Sequence, residues 1–200
     1  NLTGRTVDCR YNETNRRQIL ESRVESTRAV GEAIAAATNP PRVWLNASSA
    51  TTYADSLDED RTEDSALDPK GFSESVCQQW EGALMSADIP NTRRVAMRIT
   101  IAFGPERGGA ADILYKLVRF GLGGWQGPGR QMVSWIHTDD FARAVEWLLE
   151  HEDLSGPVNM AAPNPLSNRE FMRLFRQAAK MPIGLPCPTP ILAVGAIFLR

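Results

Sequence analysis

Two stretches of consecutive apolar residues, RVWLNASSA at 42–50 and RRVAMRITIAF at 93–103, constrain this chain more than any other feature. Side chains along a strand point alternately to opposite faces, so a run apolar on successive residues belongs to a strand covered on both faces, as in parallel sheets. The first run follows the breaker pair Pro40-Pro41 and the second ends in Gly104-Pro105, so both are bounded as strands are. MVSWIH at 132–137 and VNMAA at 158–162 are shorter runs of the same kind. Helical patterns separate them. From Asn12 to Ala37, Asn12 is placed to cap, and Ile19, Thr27, Val30, Ile34 and Ala37 fall near one face. An acidic loop, DSLDEDRTEDSALD, precedes a second helix at 72–86, a third falls near 110–121, and a fourth starts at Asp139-Asp140, which cap it. In LSNREFMRLFRQAAK, Ser167 caps with Glu170 three residues on, and Phe171, Leu174, Phe175 and Ala178 share a face. This alternation predicts an α/β fold built on a doubly wound, mostly parallel sheet, with ligand at the carboxyl ends of its strands.

The 200 residues, 42% of them hydrophobic, suffice for one substantial core, and a net charge of -2 gives no electrostatic reason to expect nucleic acid or an anionic membrane as partner. Cys9, Cys77 and Cys187 are odd in number and far apart, and His137 and His151 are the two histidines. That pattern argues for a reducing, cytoplasmic setting and against both a disulfide framework and a metal site. PILAVGAIFL at 190–199 is too short to span a bilayer and reads as part of a packed helix, and no signal peptide is expected. NLTGR at one end resembles the tail of a buried strand, and AIFLR at the other stops inside an apolar helix, so the expectation is a fragment of a longer chain.

Six segments, in order, carry a resemblance: NLTG (1–4), SRVESTRAVGEAI (22–34), ASSATTY (47–53), RITIAFGP (98–105), GLGGWQGPGRQMVSWIHTDD (121–140) and GPVNMAAPNPLSNREF (156–171). Together they resemble the extended short-chain dehydrogenase/reductases, the NAD-dependent epimerase/dehydratase family, and within it an atypical epimerase-like branch. The resemblance implies a Rossmann-like NAD(P)-binding fold with a small substrate-side subdomain. Residues 1–105 would be the C-terminal part of the dinucleotide-binding domain, and 106–200 a mixed region of substrate-side elements and returning sheet strands. The family's Gly-rich pyrophosphate turn has no counterpart here and is expected upstream; GLGGWQGPG follows a helix and precedes a strand, the reverse of the required context.

Family members use a Ser or Thr, a Tyr and a Lys, the lysine lowering the pKa of the tyrosine that moves the proton. The resemblance puts Ser49 at the serine position, where capping a loop is the alternative role, and puts Phe72 and Val76 where tyrosine and lysine would stand. Neither can transfer a proton. Tyr53 is the nearest phenol able to substitute, with packing as its alternative role and no cation near it in sequence to shift its pKa. Phe72, Val76, Cys77 and Trp80 form a packing face, and Lys70 reads as solvated. The family's pyrophosphate-gripping arginine is replaced by Val133, which speaks against a nucleotide-sugar substrate. Arg130 and Gln131 remain as polar groups for a smaller substrate, a solvent-exposed Arg130 being the alternative, while His137 reads as structural.

For the cofactor, NAD or NADP, the resemblance implies Asn1, Thr3 and Gly4 near the nicotinamide-side ribose, Ala47 and Ser48 beside the nicotinamide, and Ile101, Ala102 and Phe103 near its carboxamide. The implied activity is an oxidoreductase of the epimerase type on a small polar substrate, with a homodimer as a possible assembly. A nicotinamide-nucleotide sensor or interaction protein without turnover is the alternative, because the Tyr-Lys pair is absent.

Overall fold

In a computed structural model, residues 1–68 and 70–193 are described. They form two compact units. The first comprises Asn1–Asp55, Asp60–Thr100 and Arg143–Met160, and the second Ser56–Glu59, Ile101–Ala142 and the described residues from Ala161. The chain thus leaves the first unit at Thr100, a few residues before the Gly104-Pro105 breaker, and returns to it for 143–160.

The first unit holds helix α1 (Glu13–Ala35), strand β1 (Val43–Ser49), helix α2 (Phe72–Met85), strand β2 (Arg93–Ile99) and strand β6 (Gly156–Met160). These strands make one parallel sheet in the order β1-β2-β6, with Val43 opposite Arg93 and Val95 opposite Gly156. Parallel pairing needs long crossovers, which the intervening helices supply. Asn12 caps α1, its side chain accepting from the Asn15 N–H at 2.8 Å. The buried face of α1 is Ile19, Val24, Thr27, Gly31 and Ile34; Val30 only packs at its margin, and Ala37 is exposed beyond the helix end. Gly31 belongs to that face because a Cβ there would stand 3.2 Å from Ala87 and 3.4 Å from the Trp44 ring. Ile34, Trp44, Leu84, Ile89 and Ala96 form the core they close upon.

β2 begins with two arginines for a reason its apolar run hides. Arg93 donates to the carbonyls of Leu148 and Leu154 at 2.7 and 2.6 Å, and Arg94 to those of Met85 and Ala87 at 2.8 and 2.7 Å. Met85 ends α2, so the Arg94 charge meets carbonyls that a helix C-terminus leaves without partners.

RRVAMRITIAF is two strands, not one: β2 stops at Ile99, and Ile101–Phe103 forms β3, in the second unit. There β3 pairs in parallel with β5 (Trp135–His137), while β4 (Met132–Val133) pairs antiparallel with β7 (Leu166–Ser167), so MVSWIH also divides. The helices of this unit are α3 (Ala110–Arg119) and α5 (Asn168–Ala178); α4 (Thr138–Glu150) starts at Thr138, with Asp139 and Asp140 in its first turn. Ser167 caps α5, accepting from the Glu170 N–H, but the Glu170 carboxylate turns to Arg173 instead of back to the cap. The core here is Phe103, Val118, Phe171, Met172 and Ala179, with the Phe103 and Phe171 rings stacked at 5.4 Å. Leu174 and Ala178 are exposed, and Met172 and Ala179 take the core places that periodicity gave them. The Gly-rich segment lies against residues 184–187: the Gly124 N–H donates to the Leu185 carbonyl at 3.0 Å, and any Cβ on Gly124 would lie 2.3–2.4 Å from the Leu185-Pro186 backbone. Residues 189–193 are helical, and the remainder of the apolar terminal run, 194–200, lies outside the described residues.

Candidate active site

Ligands of parallel sheets sit at the carboxyl ends of the strands, and β1 ends at Ser49. The chain then turns at once into a short 3-10 helix, Ala50–Thr52, for which Ser49 is the cap. Its Oγ accepts from the Thr51 N–H at 3.3 Å and from the Thr51 hydroxyl at 3.1 Å. Thr51 Oγ1 also lies 3.5 Å from Cys77 Sγ. Either atom can be the donor in that contact. Burial pushes the Cys77 thiol up, which keeps the thiol proton in place. Ser49 Oγ therefore accepts twice, and its own proton has no acceptor among the described residues.

The neighbouring Ser48 points the other way, into the protein, and donates to Glu81 Oε1 at 2.6 Å. Glu81 lies on α2 and is gripped by Arg98 of β2 through two parallel hydrogen bonds, Nε to Oε1 at 3.0 Å and Nη2 to Oε2 at 2.9 Å. The remaining nitrogen of Arg98 donates to the Tyr53 hydroxyl at 2.8 Å and to the Glu63 carbonyl at 3.2 Å, and the guanidinium lies over the Tyr53 ring at 4.9 Å. Tyr53 in turn donates to Asn159 Oδ1 at 2.7 Å. Burial pulls the Arg98 guanidinium down, but the Glu81 and Tyr53 hydrogen bonds outweigh it, and its pKa stands above the ordinary arginine value. Tyr53 therefore does have a cation beside it, which sequence spacing does not reveal, and its hydroxyl is engaged on both sides within the protein.

A second polar cluster anchors the N-terminal residue. Asn1 donates from Nδ2 to Asn46 Oδ1 at 2.8 Å and to Thr27 Oγ1 at 3.4 Å, and its carbonyl accepts from the Ala47 N–H at 2.8 Å. Thr27, fully buried on α1, also accepts from Trp80 Nε1 at 2.9 Å. Asn1 and Ala47 are thus brought together, whereas Thr3 and Gly4 are exposed, the Thr3 N–H bonding back to Asn1 Oδ1 at 3.0 Å.

Where tyrosine and lysine would stand, Val76 is buried in the core, and Phe72 is half-buried, not part of the sealed face. The Phe72 ring meets Tyr11 edge-on at 5.6 Å and carries the Arg16 guanidinium at 5.1 Å. On the same helix burial keeps the Cys77 thiol protonated, and Glu81 is bonded to Arg98 and Ser48.

The other candidates lie in the second unit. Ile101 and Ala102 are exposed, Phe103 is core, and Arg130 is exposed. Gln131 donates to the Gln126 carbonyl at 2.8 Å, leaving its Oε1 buried and unpaired among the described residues. The His137 Nδ1 accepts from the Asp139 N–H at 3.1 Å, a capping role at the start of α4. No group of three or more His, Cys, Asp or Glu able to hold a metal exists among the described residues.

Sequence reasoning passed over Glu81, Arg98, Asn159 and Thr51. A signal existed for one pair: an arginine inside a buried apolar strand demands a carboxylate, and Glu81 is the acidic residue beside the packing face of α2.

A model of the NAD dependent epimerase/dehydratase family matches residues 1–161. The chain belongs to that family. This epimerase-family chain is 32% identical over 188 residues to the epimerase family protein YfhF of Bacillus subtilis, covering 94% of itself and 61% of that protein. It is 33% identical over 193 residues to the human epimerase family protein SDR39U1, covering 96% of itself and 64% of the relative. The crystal structure of human SDR39U1 with NADPH matches with a TM-score of 0.89 at 32% identity, over 99% of this chain and 67% of that one. The chain thus spans about three fifths of the length of these curated relatives.

Proposed function

We propose that this epimerase-family chain is part of a nicotinamide-dinucleotide oxidoreductase acting on a small polar substrate, in which Ser49 orients the substrate and the usual tyrosine-lysine pair has no role. One observation carries the reading: at the carboxyl end of β1, Ser49 Oγ is held by two donors from Thr51, and its own proton has no acceptor among the described residues. A hydroxyl so held is a hydrogen-bond donor to the carbonyl or alkoxide oxygen of a substrate. That donor set fits a hydride-transfer site, and human SDR39U1, similar along nearly the whole chain, was solved with NADPH. The nicotinamide supplies hydride exchange at that oxygen's carbon. What the chain itself contributes is placement. Asn1 and Ala47, bonded to each other beside the carboxyl end of β1, would face the nicotinamide-side ribose and ring.

In this reading Tyr53 holds the loop after β1 in register through Arg98 and Asn159, and proton exchange at the substrate falls to Ser49 and solvent. Phe72 and Val76 favour a second reading, a nicotinamide-nucleotide sensor that binds without turnover. Fluorescence titration of the full-length gene product with NADH and NADPH tests what both share. Saturable quenching of tryptophan emission by either nucleotide supports them; titration of both to millimolar concentration without a response defeats them.

A further inference from the structure

Residues 113–138 and 171–200 contain no aspartate or glutamate, although the chain as a whole carries a net charge of -2. Both segments belong to the second unit, and parts of them run side by side. The Leu185 N–H donates to the Gly121 carbonyl at 2.7 Å, and the Gly124 N–H to the Leu185 carbonyl at 3.0 Å. Arg176 of α5 donates from Nη1 to the Gly123 carbonyl at 2.6 Å. A Cβ on Gly184 would fall 2.5 Å from Arg176 Cδ and 2.8 Å from the Gly123 backbone, so glycine lets the two segments close on each other. Around this junction apolar side chains face water: Phe120 is 82% exposed, Ile183 66%, Leu185 59% and Leu122 50%. Phe120 and Leu122 flank Gly121, to which Leu185 is bonded, so they form one patch and not scattered single residues.

The charge around the patch is of one sign. Arg119 donates from Nη1 to Met181 Sδ at 3.8 Å, Arg176 is held at Gly123, and exposed Lys180 directly precedes Met181. No carboxylate pairs with any of these three cations among the described residues. The acids nearest in sequence, Asp112 and Glu170, are already engaged by Lys116 and Arg173. Exposed to this degree, Phe120 stands out from the surface and lines no groove that could receive a peptide. Apolar side chains that protrude among unpaired cations suit the boundary of an anionic bilayer, the ring and aliphatic chains entering the acyl edge while Lys and Arg stay at the headgroups. We propose that this face of the second unit docks the protein on an anionic lipid surface, with Phe120 inserted and Arg119, Arg176 and Lys180 at the headgroups. No helix among the described residues is long and apolar enough to cross a membrane, so the attachment is to its surface. The net charge of -2 does not oppose it, because salt screens exposed charges beyond about 8 Å and these segments carry no acid.

Flotation of the full-length gene product with vesicles of phosphatidylcholine alone, and of phosphatidylcholine with phosphatidylserine, at low and high salt, tests the proposal. The expected result is binding to the phosphatidylserine vesicles that weakens with salt. Its partition coefficient falls about tenfold in Phe120→Ser and about tenfold in the double variant Arg119→Gln/Lys180→Gln. All three side chains are exposed, so these variants are expected to fold, which thermal unfolding checks. Wild type that binds neither vesicle, or folded variants that bind as well as wild type, overturns the proposal. Equal binding to both vesicles at either salt overturns the anionic assignment. Retention on immobilised polyglutamate, lost in the same variants while no vesicle is bound, overturns lipid in favour of an acidic protein partner. Phe120→Cys checks the face itself: a maleimide should label one thiol more than in wild type. If it does not, the rest of the full-length chain or a second copy covers the face, and the proposal falls.

Discussion

Replacing Glu81 by leucine removes the carboxylate bonded to Arg98. The side chains of Arg98 and Glu81 are 5% and 12% exposed, so solvent screening gives little relief. Breaking one partner out of such a pair costs about 3–5 kcal/mol, because the charge left behind stays buried. Ser48, 4% exposed, also loses its acceptor, which adds about 1 kcal/mol or more. Against a typical total of about 5–15 kcal/mol, this leaves Glu81→Leu marginal or unfolded at growth temperature. The double variant Glu81→Leu/Arg98→Met removes the stranded charge, so it is predicted to be more stable than Glu81→Leu alone although it carries more substitutions. Urea unfolding followed by circular dichroism on the two singles and the double measures the coupling. A double variant as unstable as the sum of the singles, or a Glu81→Leu loss below about 1 kcal/mol, would refute the reasoning.

Five further outcomes follow from local geometry. Asn12→Ala, which removes the cap of α1, lowers stability by about 1 kcal/mol in the same urea assay. Trp80→Phe lowers it by about 1–3 kcal/mol, since buried Thr27 loses the indole donor. Gly124→Ala, with its Cβ forced into the Leu185-Pro186 backbone, destabilises strongly and lowers soluble yield. Half-buried Cys9 and Cys187 react readily with a thiol reagent at neutral pH, whereas buried Cys77 reacts only as fast as the protein opens. Because the folded Cys77 thiol titrates above the ordinary value of 9.0, its share of stability is complete below pH 9.0 and declines as pH rises toward the folded value; Cys77→Ala should flatten that alkaline slope.

The parallel sheet was legible in the sequence because two consecutive-apolar runs bounded by breakers admit few other structures, and the caps Asn12 and Ser167 stand where local chemistry demands. The division of RRVAMRITIAF was not legible. Apolar periodicity continues through Thr100, and only strand pairing, Ile99 opposite Met160 but Ile101 opposite Trp135, reveals that the chain changes sheets there. Of the candidate site, the tyrosine and lysine positions are assigned to Phe72 and Val76 by the family resemblance alone. The company of Tyr53 could not be read: Arg98 and Asn159 lie 45 and 106 residues away and meet it through sheet register alone.

Hydride transfer gated by Ser49 is tested most directly by following the loss of dihydronicotinamide absorbance when the full-length gene product, with NADPH or NADH, meets a panel of small carbonyl compounds. The prediction is oxidation with at least one of them, reduced about a hundredfold in Ser49→Ala, as for removal of one hydrogen-bond donor to a developing oxyanion, and little changed when Phe72 is replaced. Saturable nucleotide binding with no oxidation by any carbonyl, or oxidation indifferent to Ser49→Ala, would contradict it.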